Sequence, residues 1–121
     1  MSTRKTGLAW VKSHDPAEAG DIYVSKHYSR EKLWFFTLPS SYLDKANKHK
    51  CLKLLCQHES YPKVFYYLKI PFSFLYDMKG RFDMNKAGDK FDLHISSKME
   101  NRFHEEKSEN FVKFGRFVKY R

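Results

Sequence analysis

Phe36-Thr37-Leu38-Pro39-Ser40-Ser41-Tyr42-Leu43 is echoed by Leu68-Lys69-Ile70-Pro71-Phe72-Ser73-Phe74-Leu75, with the two prolines 32 residues apart. Each copy is a β-patterned run ending in an apolar-Pro step, where the fixed φ and missing N–H of proline stop a strand. Each continues into Ser, an aromatic and Leu, and is followed by another alternating strand whose core residues begin just after Lys50 or Lys90. The doubled unit predicts a two-lobed, mainly β chain of β-rich α+β class. Alternation around it predicts an open barrel or pseudobarrel of about six to seven strands, with short helices after Pro39 and Pro71.

Outward from the echo, Ile22-Tyr23-Val24 and Leu33 to Leu38 predict a first hairpin joined by a polar connection. Cys51 to Gln57, with Leu52, Leu54 and Cys56 on one side, and Val64 to Ile70, with Val64, Tyr66, Leu68 and Ile70 together, predict a second. Gly88-Asp89 marks a turn before the strict alternation of Phe91-Asp92-Leu93-His94-Ile95. Ser97-Lys98-Met99-Glu100 has the form of a capping box and predicts a helix near 98–108, with Met99 and Phe103 on one face. Residues 111–121 fit a helix through Phe111, Phe114 and Val118 or a strand through Val112, Phe114, Val118 and Tyr120. Period alone does not separate the two. Residues 1–20 have no clear period and read as an N-terminal arm or irregular lead-in, leaving 21–121 as a single barrel-like domain.

A chain of 121 residues buries roughly 65% of its unfolded surface, enough for one core without staples. Hydrophobic content of 41% with 31% charged residues is a globular composition, and no apolar stretch approaches a membrane span. Met1-Ser2-Thr3-Arg4-Lys5 leads into polar residues without the apolar centre of a signal peptide, so a cytoplasmic location and no membrane partner are expected.

The net charge of +9 favours polyanionic partners, nucleic acid first. Lysine-rich composition also has a bland source in an adenine- and thymine-rich genome, and the 17% aromatic content is largely accounted for by core positions on strands. Charge placement is more informative than the total. Lys45, Lys48, Lys50 and Lys53 follow one another without an acid, as do Lys113, Arg116, Lys119 and Arg121. Lys26-His27-Tyr28-Ser29-Arg30-Glu31-Lys32 mixes cations with hydroxyls suited to phosphate oxygens. Glu100, Glu105, Glu106 and Glu109 concentrate negative charge elsewhere, which confines the basic surface to one face.

The second copy, Lys69-Ile70-Pro71, an aromatic turn, then Gly88-Asp89-Lys90-Phe91-Asp92-Leu93, resembles the unit of swapped-hairpin barrels in bacterial regulators and antitoxins. The first, ending Phe36-Thr37-Leu38-Pro39, is similar to the corresponding step of DNA-binding pseudobarrels in plant transcription factors and restriction-enzyme recognition domains. The likeness spans roughly residues 21–95, and duplication within one chain favours the pseudobarrel. It implies loops and strand edges gripping the major groove of DNA, with no base-reading residue carried over. Departures are the longer stretch between Pro71 and Gly88 and His49-Lys50 in place of Gly-Asp.

His49, Cys51, Cys56 and His58 do not converge as metal ligands on a strand, where alternate residues face opposite sides. A Cys51–Cys56 disulfide fails on reach, since five strand residues span roughly 16 Å against about 6 Å for a bridge. Asp92 with His94, and His104-Glu105-Glu106, are the acid–histidine groupings that suggest catalysis, and Asp92 with His94, opposite Phe91, Leu93 and Ile95, reads as a surface pair. No metal, cofactor or catalytic residue is expected. The expectation is a non-catalytic nucleic-acid-binding domain, with duplex DNA ahead of RNA. Phosphate contacts come from Lys45, Lys48, Lys50, Arg116 and Lys119, while the connection carrying Lys26, His27, Tyr28, Arg30 and Lys32 reaches the bases. Alternatives are a small basic ribonuclease of toxin type using Lys26, His27, Tyr28 and Arg30, and a phage or accessory protein that binds another protein. Monomer and homodimer both stay open.

Overall fold

The structure, a computed structural model, describes residues 3–14, 22–43, 51–78, 80, 82–99, 102–105 and 112–120. Its strands are β1 (Ile22–Ser25), β2 (His27–Tyr28), β3 (Leu33–Pro39), β4 (Cys51–Gln57), β5 (Phe65–Pro71), β6 (Asp83–Met84), β7 (Lys90–Ser96) and β8 (Val118–Tyr120), with helices α1 (Thr3–His14) and α2 (Phe72–Asp77). They form two four-stranded sheets, β1-β4-β5-β8 (sheet 1) and β2-β3-β7-β6 (sheet 2). The chain is mainly β, as its alternation predicts, and the sheets pack face to face as an open sandwich without closing into a barrel.

Period-2 patterning fills the interface between them. Trp34, Phe36 and Leu38 of β3 and Phe91, Leu93 and Ile95 of β7 meet Leu52, Leu54 and Cys56 of β4 and Tyr66, Leu68 and Ile70 of β5 in one buried cluster. The hairpin β4–β5 and the turn at Gly88, whose φ of 74° is open to glycine without a Cβ clash, stand where the sequence places them.

The echo is a structural relation as well. Pro39 ends β3 and opens a 3-10 turn (Ser40–Leu43), Pro71 ends β5 and opens α2, and the two helical turns pack together at one end of the sandwich. Pairing is reciprocal: β4, the strand following the first proline, pairs with β5, while β7, which follows the second proline and the two-residue β6, pairs with β3. Pro39 stands opposite Lys90 and Pro71 opposite Cys51.

Four expectations change. Ile22–Ser25 does not form a hairpin with β3 but runs parallel to β4 in sheet 1, from Ile22 beside Lys53 to Ser25 beside Cys56. The chain then crosses at Lys26, and the two-residue β2 supplies the antiparallel partner of β3 in sheet 2. Ser25 Oγ secures the crossing by accepting from the Phe35 amide at 3.0 Å. Within the expected lead-in, Thr3–His14 is helical and lays Val11, Leu8 and Trp10 on the outer face of sheet 1 against Leu55, Phe65 and Tyr67. Gly7 permits the approach, because a Cβ there would stand 3.2 Å from both Leu55 Cδ1 and Val24 Cγ1.

The expected helix near 98–108 is absent at its described centre. Arg102 and Phe103 form a turn, and His104 and Glu105 lie in β-bridges. β6 pairs only as far as Asp92, and the next amides on that edge of β7 take partners from this segment: His94 N donates to Glu105 Oε2 at 2.5 Å and Ser96 N to His104 O at 2.9 Å. Those bonds outweigh the local capping signal. Glu105, expected at the surface, is buried for the same reason. At the C-terminus a 3-10 turn (Gly115–Phe117) leads into β8 beside β5, which settles the open choice in favour of a strand.

Because Leu54 and Leu93 face each other's sheets from fully buried positions, Leu54→Ala and Leu93→Ala are each expected to cost about 2–5 kcal/mol. Urea unfolding of the two variants measures this, and a loss from only one of them would contradict a shared interface.

Candidate nucleic-acid interface

The end of the sandwich away from the prolines is closed by side chains from both sheets around Trp34. Its indole donates to Gln57 O at 2.8 Å, stacks on Phe103 at 5.5 Å and 7°, and meets Tyr66 edge-on at 5.6 Å. Arg102 lies over this group, its guanidinium carbon 5.0 Å from the Tyr66 ring centroid and 5.2 Å from that of Phe103.

Every terminal N–H of that guanidinium has an acceptor. Nη1 donates to Ser97 O at 2.8 Å and pairs with Glu59 Oε2 at 2.9 Å, while Nη2 donates to Glu59 Oε1 at 3.0 Å and to Tyr66 Oη at 2.6 Å. Tyr66 in turn donates to Glu59 Oε1 at 2.6 Å. Partial burial pushes the Glu59 carboxyl up, but the hydrogen bonds from Arg102 and Tyr66 outweigh it and hold it at about 2. Burial and the bond to Glu59 raise the Tyr66 phenol to about 12. The triangle is internally satisfied, so its chemistry is that of a fastening between the β4–β5 loop, β5 and the turn after β7.

His27 belongs to this closure. Opposite Trp34 in register, it points inward, its ring 5.3 Å from the indole and its Nε2 2.7 Å from Ser97 Oγ. Burial lowers its pKa, with Arg102 and His58 acting in the same direction against Glu59. Its ring is thus engaged in the closure through Ser97 and Trp34.

Tyr28, one residue on, faces the outside of sheet 2 beside Leu33. Lys26, Arg30 and Lys32 are exposed around it, with Lys26 Nζ 5.1 Å over the Tyr28 ring. Lys32 holds a left-handed backbone, φ 56°, fixed by Lys32 N donating to Tyr28 O at 2.8 Å and Ser97 N donating to Lys32 O at 2.9 Å. Along the same face, Phe35 and His94 are paired in register with ring centroids 4.8 Å apart. Tyr28, Glu31, Leu33, Phe35 and His94 line a shallow depression of about 340 Å³.

Of the remaining expected contacts, Arg116 does not join this edge. Arg116 is exposed, sits 5.0 Å over Phe74 and 4.9 Å over Phe117, and lies toward the proline end of sheet 1. Lys119 is in β8, and Lys45, Lys48 and Lys50 fall outside the described residues. Cys51 and Cys56 are both free thiols, the latter fully buried with its pKa pushed up by burial. His49 is outside the described residues, and no three potential metal ligands gather among the described ones. Among these residues no helix is long and apolar enough to cross a membrane. Compared with protein-family models, curated proteins and solved structures, the chain has no match.

The fastening has a pH signature. The lowered Glu59 carboxyl stabilises the fold in full above its ordinary value near 4.5, and that contribution drains away as pH falls toward about 2. The lowered His27 adds a loss beginning higher, as the unfolded chain takes up its proton below about 6.5. Urea midpoints are expected to fall between pH 5 and pH 3 in the native protein and less steeply in Glu59→Gln. Arg102→Met is expected to cost about 1–3 kcal/mol at pH 7, measured in the same way.

Proposed function

We propose that the protein binds nucleic acid through the connection between β1 and β3, where Lys26, Arg30 and Lys32 stand exposed together. The observation that carries this reading is that the three cations share one connection whose shape is held from beneath. Ser97 N grips Lys32 O, His27 is anchored on Ser97 Oγ, and the Lys32 backbone is kept left-handed. Cations on a pre-shaped edge lose little order when they meet phosphates, which favours affinity. The overall charge of +9 adds long-range attraction.

The connection by itself addresses only the phosphate backbone, which duplex DNA, single-stranded DNA and RNA have in common. His27 Nε2 is engaged by Ser97 Oγ, and the binding function is assigned without a catalytic role for it.

Titration of labelled duplex DNA, single-stranded DNA and RNA at several salt concentrations tests the proposal. Affinity is expected to fall steeply with salt, and Arg30→Gln to lower the log–log slope by about 1. Lys32→Gly is expected to weaken binding while leaving stability unchanged or up to about 1 kcal/mol higher, since glycine accepts the left-handed backbone at no steric cost. Absence of binding at low salt, or cleavage of RNA that disappears in His27→Ala, would overturn it.

A further inference from the structure

We infer that the depression on the outer face of sheet 2 seats one unpaired base of a single-stranded nucleic acid, whose phosphates rest on Lys26, Arg30 and Lys32. This rests on the nucleic-acid reading of the same edge and names the class of ligand.

The walls give the first reason. Tyr28, Leu33, Phe35 and His94 are all half-buried, and they present an apolar, largely aromatic surface on the open side of a sheet. Such faces receive bases by stacking, which is tolerant of sequence because every base has a π-face. A duplex keeps those faces covered by its own stack and has nothing to lay there. The volume of about 340 Å³ lies at the low end of small-ligand sites, which suits a single flat ring system.

Charge gives the second. The cations flank the apolar floor on the chain segment that supplies Tyr28 and Leu33, so a base in the depression brings its own phosphate to the basic edge. Glu31 is the acidic wall residue. A carboxylate repels phosphate but accepts hydrogen bonds, so its presence in the depression suits the edge of a base. Guanine offers N1–H and the N2 amino group side by side to a carboxylate. Uracil sets one N–H between two carbonyl oxygens, which Glu31 would repel. Guanine is therefore the favoured occupant.

Three labelled hexamers test this with the full chain: all-uridine, uridine with one central guanosine, and the same with an abasic central residue, each also made as the deoxy counterpart with thymidine for uridine. The guanosine hexamer is expected to bind more tightly than the other two. Phe35→Ala should weaken it roughly 5- to 150-fold while leaving the abasic hexamer unchanged. Phe35→Leu, which keeps the apolar filling but removes the π-face, should lose most of the same preference, and Phe35→Tyr should retain it. Glu31→Ala should erase the advantage of guanosine over uridine. Equal ribose and deoxyribose affinities identify the base and phosphate as the shared determinant; a ribose-only preference restricts the ligand to RNA.

Equal weakening of guanosine and abasic hexamers by Phe35→Leu would overturn the inference. So would a wild-type dimer, seen by sedimentation, that Phe35→Ala dissolves without affecting hexamer binding. Duplex binding without hexamer binding would refute the base seat and leave the basic edge standing. Failure of every nucleic acid at low salt would remove both.

Discussion

The two sheets are joined through their inner side chains, and Trp34 fixes how they meet at the end away from the prolines. It belongs to sheet 2 but donates to Gln57 O and packs on Tyr66 in sheet 1. That single buried ring sets the height of the Arg102 guanidinium above it and the seat of His27 beside it. Since β2 has only two residues, fixing His27 inward also fixes Tyr28 outward. The surface proposed to meet nucleic acid is thus shaped by a core contact.

This dependence explains why the polar groups nearest the cations are poor candidates for chemistry. Arg102, Glu59 and Tyr66 consume one another's hydrogen-bonding capacity, and His27, its pKa lowered by partial burial, is engaged with Ser97 Oγ. What remains open to a partner is the exposed set one step farther out. The fold divides labour between neighbours in sequence: His27 closes the sandwich, while Lys26 and Tyr28 on either side of it face solvent or half-face it.

Alternation made β4, β5 and β7 readable, because the inner face of each repeats every two residues, although β4 and β5 also bury Leu55, Phe65 and Tyr67 on the outer face beneath α1. The proline echo was readable because proline ends a strand for covalent reasons. Helix α1 was not, since it has no acid in its first turn and carries Gly7 in its interior. The parallel partnership of β1 with β4 is a long-range choice that no local pattern announces. At 97–100 the capping signal is present, but open amides on the edge of β7 recruit the following residues. The Glu59–Arg102 pair joins residues 43 apart. The available hint was Tyr66, an inward aromatic on a core strand whose hydroxyl had to find a partner.

Reciprocal pairing of the two proline units gives the domain the outline of a dimer written as one polypeptide. Neither unit owns a complete sheet: β3 needs β7, and β5 needs β4. The loop between β4 and β5 is then a tether that turns association of two halves into an intramolecular event, with an effective concentration that free halves would have to match. Glu59 sits on that tether and is clasped by Arg102 from beyond β7. The clasp ties the tether to β5 and to the turn after β7, so the loop that joins the two halves is held in its folded shape.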